Sequence, residues 1–196
     1  ILKEHGYMTF HIGKWHLGDE PYWPEHQGFD VNIGGCHMGN PYQGYFSPYG
    51  NPRLEDGPEG EYLTDRLTDE ALNLLDNKND TEPYFMYLSY YSVHTPITAP
   101  RDLVEKYEKK RIDLGLDKKK ETELGEHFPC VHKRTGRIKR RLIQSHPTYA
   151  AMVERLDWNI GRILDKIEEK GEFENTMVFF FSDNGGLSTA ESSPTC

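Results

Sequence analysis

The chain has 196 residues, 36% hydrophobic and 28% charged, with a net charge of −9. That length suffices for one domain with a real core, and no apolar run is long enough to span a membrane. The acidic balance argues against general nucleic-acid binding.

A locally basic stretch, HKRTGRIKRR at 132–141, is the exception and reads as a solvated insertion. Three cysteines, Cys36, Cys130 and Cys196, are too few and too scattered for a disulfide framework, and they leave the redox compartment open.

In chain order, ILKEHGYMTFHIGKW predicts a helix end closed by Gly6 and then a strand over 7–12. Residues 19–60 are rich in Gly, Pro, Tyr and Asn without helical period, which predicts an ordered loop lining a site. YLTDRLTDEALNLLDN places Leu63, Leu67, Ala71, Leu74 and Leu75 on one helical face, with Thr64 as N-cap. PYFMYLSYYSV, 83–93, predicts a buried strand. Residues 101–146 are charged, with helical fragments, and read as a surface excursion.

PTYAAMVERLDWNIGRILDKIEEKG predicts the strongest helix, ended by Gly171. Met152, Val153, Leu156, Ile160, Ile163, Leu164 and Ile167 form its buried stripe. TMVFFFSDNGG then predicts a buried strand that stops at Asp183 and Asn184. This alternation predicts an α/β fold over 1–196, a largely parallel (mixed) sheet flanked by helices.

Open α/β sheets bind ligands at the carboxyl ends of their strands, and three polar clusters are predicted there. Lys14 and His16 sit in HIGKWHLG, and an extended segment would point both to one side. His94 sits in VHTP, and Asp183 with Asn184 offers hard oxygen donors suited to Ca²⁺ or Mg²⁺. Each cluster alone has a plain structural explanation: a surface turn over Trp15, a loop contact before Pro96, an Asx turn ending a strand. Together they describe a site for a doubly charged oxyanion beside a divalent metal.

The aromatic segment over 34–50 suits stacking against a sugar ring or an aryl group, with His37, Tyr42 and Tyr45 facing it. A loop packed on itself is the alternative. His127, Cys130 and His132 match no standard zinc spacing. Asn79 opens an N-glycosylation sequon, NDT.

GYMTFHIGKWHLG resembles the second signature of the sulfatase family, arylsulfatase-like proteins of the alkaline-phosphatase-like superfamily. VHTP and SDNGG follow in the order that family shows, and GLSTAESSPTC resembles the stretch after its metal residues. The resemblance implies an alkaline-phosphatase-like core that hydrolyses sulfate esters of a sulfated carbohydrate or an aryl alcohol. It implies that Lys14 contacts the sulfate ester and the nucleophile, and that His16 hydrogen-bonds the nucleophile's hydroxyl. His94 would contact the sulfate and its bridging oxygen, and Asp183 and Asn184 would ligate one Ca²⁺.

The family's nucleophile is a formylglycine, made by a maturation system from a C-x-P-S-R motif that is missing here. CVHKR at Cys130 has the Arg but neither Pro nor Ser. The aspartate pair of the family's first strand is also missing. The chain is therefore expected to be an internal stretch of a sulfatase, cut at both ends and holding about half the site. The nucleophile and remaining metal ligands would lie outside it, and MVFFF would expose apolar surface. Family membership implies a periplasmic, secreted or, in a eukaryote, lysosomal location. The rival readings are a phosphodiesterase or phosphonate hydrolase of the same superfamily, and a non-catalytic relic that binds sulfated glycans or a protein partner.

Overall fold

The computed structural model describes residues 1–128 and 135–185. They divide into two units, each taken on its own: Ile1–Pro96 with Glu154–Met177, and Ile97–Val153 with the residues from Val178 onward.

The first unit is built on three parallel strands, β1 (Met8–Gly13), β2 (Val31–Ile33) and β3 (Tyr84–Ser89), in the order β2-β1-β3. As predicted, Gly6 closes a single 3-10 turn and the chain enters β1. β1 is central and buried beyond its first residue. Ile12 lies opposite both Ile33 and Leu88, and Gly13 lies opposite Ser89, so all three strands stop at one level. Gly13 has φ +99°, and a Cβ built there would overlap the Ser89 carbonyl. Only glycine lets the two strand ends come this close. The Lys14 amide then donates to the Ser89 carbonyl at 2.7 Å. Strand β2 was not foreseen, because three residues ahead of a double glycine carry too little periodicity to read.

Helix α1 (Leu63–Asn77) buries Leu63, Leu67, Ala71 and Leu75 as its spacing predicts, with Leu74 half-buried. Thr64 is not the N-cap. Tyr62 holds that position without a side-chain bond, and the Thr64 hydroxyl lies 2.6 Å from the Ser92 hydroxyl instead. A tertiary partner has taken the oxygen that a cap would have used.

Strand β3 forms where predicted but is not fully buried, with Phe85 and Tyr87 about 40% exposed. Of α3 (Pro147–Glu169), the part in this unit meets α1 through charge. Arg155 grips Asp65 with two bonds of 2.8 and 2.6 Å, Arg162 reaches Asp69 at 2.5 Å, and Lys166 reaches Asp76 at 3.2 Å. The buried polar residue of this face is Asn159, which donates to Asp65 at 2.7 Å. This polar seam explains why the expected apolar stripe is only partly covered. Met152 and Ile167 are buried, Leu156, Ile160, Ile163 and Leu164 are half-buried, and Val153 is exposed.

In the second unit, the charged stretch expected as an excursion folds into α2 (Arg101–Asp113) and an antiparallel hairpin of β4 (Thr122–His127) and β5 (Arg137–Arg141). Acids of β4 meet a base of β5: Arg140 pairs with Glu123 at 3.2 Å and Glu126 at 3.7 Å, while Arg141 reaches Glu121, just before β4, at 3.5 Å. Arg140 and Arg141 of the basic run thus meet counter-charges, while Arg137 donates to the Gly125 and Leu124 carbonyls. Cys130 and His132 lie outside the described residues.

The expected strand at 176–182 does not form. Residues 177–181 are irregular and 51–79% exposed, so the apolar surface expected along MVFFF is indeed open. An apolar run becomes a strand only by pairing its backbone, and among the described residues none pairs with it. No helix of the described residues is long and apolar enough to cross a membrane.

Gly13→Ala in the full-length protein should cost about 2–5 kcal/mol, the left-handed strain adding to overlap with a backbone carbonyl. Gly28→Ala is the control, since Gly28 also has positive φ but open space around a Cβ. It should cost only about 1 kcal/mol. Urea unfolding checks both; equal costs would show that the crowding at Ser89 is unimportant.

Candidate active site

Three loops leave the aligned strand ends: 14–18 after β1, 34–45 after β2 and 90–94 after β3. They carry Lys14 and His16, then His37, Tyr42 and Tyr45, then His94.

Lys14 is half-buried directly beyond Gly13. Beneath it, the fully buried His11 lies with Nε2 3.3 Å from the Lys14 carbonyl, an acceptor, so Nε2 carries the ring proton. Burial lowers the His11 pKa from 6.5 to about 4, against the opposing pull of Asn32 and the Lys14 carbonyl. His11 is therefore neutral at ordinary pH and adds no second positive charge beside Lys14.

His16 has φ 60°, the left-handed region, so the segment is not extended and alternation does not set its direction. Two contacts to the 34–45 loop set it instead. The His16 amide donates to the Cys36 carbonyl at 2.9 Å, and its ring lies against Gly39, where a Cβ would stand 2.6 Å from both ring nitrogens. The Trp15 indole turns to donate to the Tyr22 carbonyl at 2.8 Å and meets the His11 ring edge-on.

His94 ends a turn closed by its amide on the Tyr91 carbonyl at 2.9 Å. Its Nδ1 lies 2.9 Å from the Thr95 carbonyl. A carbonyl only accepts, so Nδ1 holds a proton in either charge state and Nε2 is the nitrogen that can exchange one. His37 and Tyr42 are exposed, their ring centroids 6.4 Å apart.

Tyr45 corrects an expectation. The aromatic loop pattern predicts that it faces a substrate, but it is 1% exposed and its hydroxyl is engaged by the carbonyls of Tyr91 and His94. Cys36 is buried, and burial raises its thiol pKa, the opposite of an activated nucleophile. Sequence reading missed Gly39, His11 and this role of Tyr45. Only the double glycine at 34–35 hinted at close packing.

Asp183 and Asn184 fall in the second unit, exposed and without a strand before them. The Asp183 carboxylate accepts the Asn184 amide at 2.9 Å, a local Asx contact. Among the described residues no group of three or more His, Cys, Asp or Glu is gathered to hold a metal. The donor chemistry of the pair suits a hard cation, and it supplies two oxygens where calcium takes about six to eight.

The chain matches the Sulfatase family over residues 1–193. It belongs to the sulfatase family. It is 31% identical to an uncharacterized sulfatase of Schizosaccharomyces pombe, over 94% of this chain and 40% of that protein. It is 26% identical to the N-acetylglucosamine-6-O-sulfatase of Bacteroides thetaiotaomicron, over 94% of this chain and 43% of that protein. The solved structure of yidJ from Bacteroides fragilis shares the fold, with a TM-score of 0.67 at 23% identity over 98% of this chain and 44% of that one. The sulfatase chain thus spans about two fifths of the curated relatives named here. Its parallel sheet and flanking helices are the alkaline-phosphatase-like α/β architecture that the sequence predicts.

His11 gives this sulfatase a pH signature. Its folded pKa lies below the unfolded value, so the unfolded chain binds more protons between the two. Its contribution is intact above pH 6.5 and is lost as pH falls to about 4, by up to about 3 kcal/mol. Urea midpoints of the full-length protein between pH 7.5 and 4 should fall less steeply in His11→Leu. Parallel curves would place the titration elsewhere.

Proposed function

We propose that the protein hydrolyses sulfate esters, with Lys14 and His16 holding the sulfate and nucleophile and His94 protonating the departing oxygen. The observation that carries this reading is the shared anchorage of the three residues. They leave the level ends of two adjacent parallel strands, and the 34–45 loop bonds both the His16 turn and the His94 turn.

Lys14 is half-buried, where the dielectric is lowered, which strengthens the pull of an ammonium on sulfate oxygens. His16, its ring held against Gly39, offers a fixed partner for the nucleophile's hydroxyl. His94, with Nδ1 engaged by Thr95, carries the proton for the leaving alkoxide on Nε2. That proton matters most for sugar and alkyl alcohols, whose oxygens leave reluctantly without one. Asp183 and Asn184 are assigned to a Ca²⁺ site, where the ion would draw charge from the sulfate oxygens. The nucleophile is assigned to a matured formylglycine, whose C-x-P-S-R source these 196 residues do not contain.

Sulfated carbohydrate is the substrate class we favour. The exposed His37–Tyr42 pair offers a stacking face for a sugar ring, and the Bacteroides thetaiotaomicron relative is named for an amino-sugar sulfate.

In the full-length protein, His94→Ala should lower kcat about 10²–10³-fold for a sugar 6-O-sulfate and under about 10-fold for 4-nitrophenyl sulfate, by the usual weight of a general acid. Steady-state rates with both substrates check this, and equal losses would remove the acid role. Lys14→Ala should lower kcat/KM about 10²–10³-fold for both substrates, because charge on the sulfate develops whatever the leaving group. Unchanged kcat/KM would remove Lys14 from the site.

A further inference from the structure

We infer that Tyr45 is a positioning residue for His94, an inference that rests on the acid role proposed above. Its phenol bonds to the carbonyls of Tyr91 and His94 at 2.8 and 2.9 Å. A phenol has one proton, so this is a shared, three-centre bond across both ends of the turn. The Tyr91 carbonyl also receives the His94 amide, so the turn and the tyrosine close on one oxygen.

Tyr45 is itself rigid. Its ring stacks on Tyr62 with centroids 5.7 Å apart, and its carbonyl accepts the amide of Leu63, the first residue of α1. Other ties to this turn act on residues before His94. The Tyr91 hydroxyl lies 3.5 Å from the Met38 carbonyl, and the Thr64–Ser92 contact acts two residues before His94. Burial drives the Tyr45 phenol pKa far above its ordinary range, so the hydroxyl stays a donor and takes no part in proton exchange.

Without that donor, the His94 carbonyl loses its tie to the 34–45 loop, and Nε2 loses its fixed place against the bridging oxygen. A misplacement of about 1 Å can cost on the order of 10²-fold in rate, so a partial loosening should cost about 10-fold. The loss should be confined to substrates that need the acid.

The test is Tyr45→Phe in the full-length protein, which keeps the ring and its stacking. The expected result is a kcat about 10-fold lower for a sugar 6-O-sulfate, with less than about twofold change for 4-nitrophenyl sulfate. Adding Tyr45→Phe to His94→Ala should cost nothing further. Incorporating p-aminophenylalanine at position 45, which restores a donor, should recover the lost rate. Equal losses for both substrates, or full additivity with His94→Ala, would overturn the inference and leave Tyr45 a packing residue. A selective loss in His94→Ala beside a substrate-blind Tyr45→Phe would overturn only the positioning role. Equal losses in His94→Ala itself would instead overturn the acid role on which the inference rests.

Discussion

The ends of β1 and β3 meet where no side chain fits. Gly13 faces the Ser89 carbonyl across a gap that any Cβ would fill, and the next amide, Lys14, closes it with a hydrogen bond. This crowding sets the level at which two strands stop and their loops begin. Lys14 and the turn bearing His94 follow from it, because each leaves one of the two joined ends. A parallel sheet gathers its functional loops along one edge, and here a single glycine determines how tightly that edge is drawn together.

The 34–45 loop does the rest of the gathering. It holds no regular structure, so its backbone groups need other partners. The Gly34 amide reaches the Arg53 carbonyl, Asn51 donates to the Gly34 carbonyl, and Asn32 bonds both the amide and the carbonyl of Gly35. Anchored in this way, the loop presents the Cys36 carbonyl to His16, the Gly39 surface to the His16 ring and the Tyr45 hydroxyl to the His94 turn. His16 and His94 are thus ordered by a segment that contributes neither of them. Polar atoms that would be costly to bury alone are paired with one another, which makes the loop specific as well as stable.

Neutral His11 beneath Lys14 belongs to the same logic. A charged imidazole there would be desolvated and would compete with Lys14 for an anion, whereas the neutral ring serves as a donor to the Lys14 carbonyl and as an edge for Trp15. Elsewhere charges are used in pairs. Arg155, Arg162 and Lys166 join α3 to Asp65, Asp69 and Asp76 of α1, so two helices meet through ions.

The sequence by itself determined the family, the strand leading into HIGKWHLG and both long helices, and it singled out Lys14, His16 and His94 by their motifs. These are local signals: residue chemistry at fixed spacing, and periods of two and 3.6. The tertiary structure decided the rest. It moved Thr64 from cap to contact and left 177–181 unpaired. It folded the charged stretch into a hairpin, because opposite charges faced each other across strands. Tyr45 reads in sequence like any loop aromatic. Its role emerges only where the fold brings it to His94, 49 residues away, because burial and hydrogen-bond partnership are properties of neighbours in space that spacing along the chain does not encode.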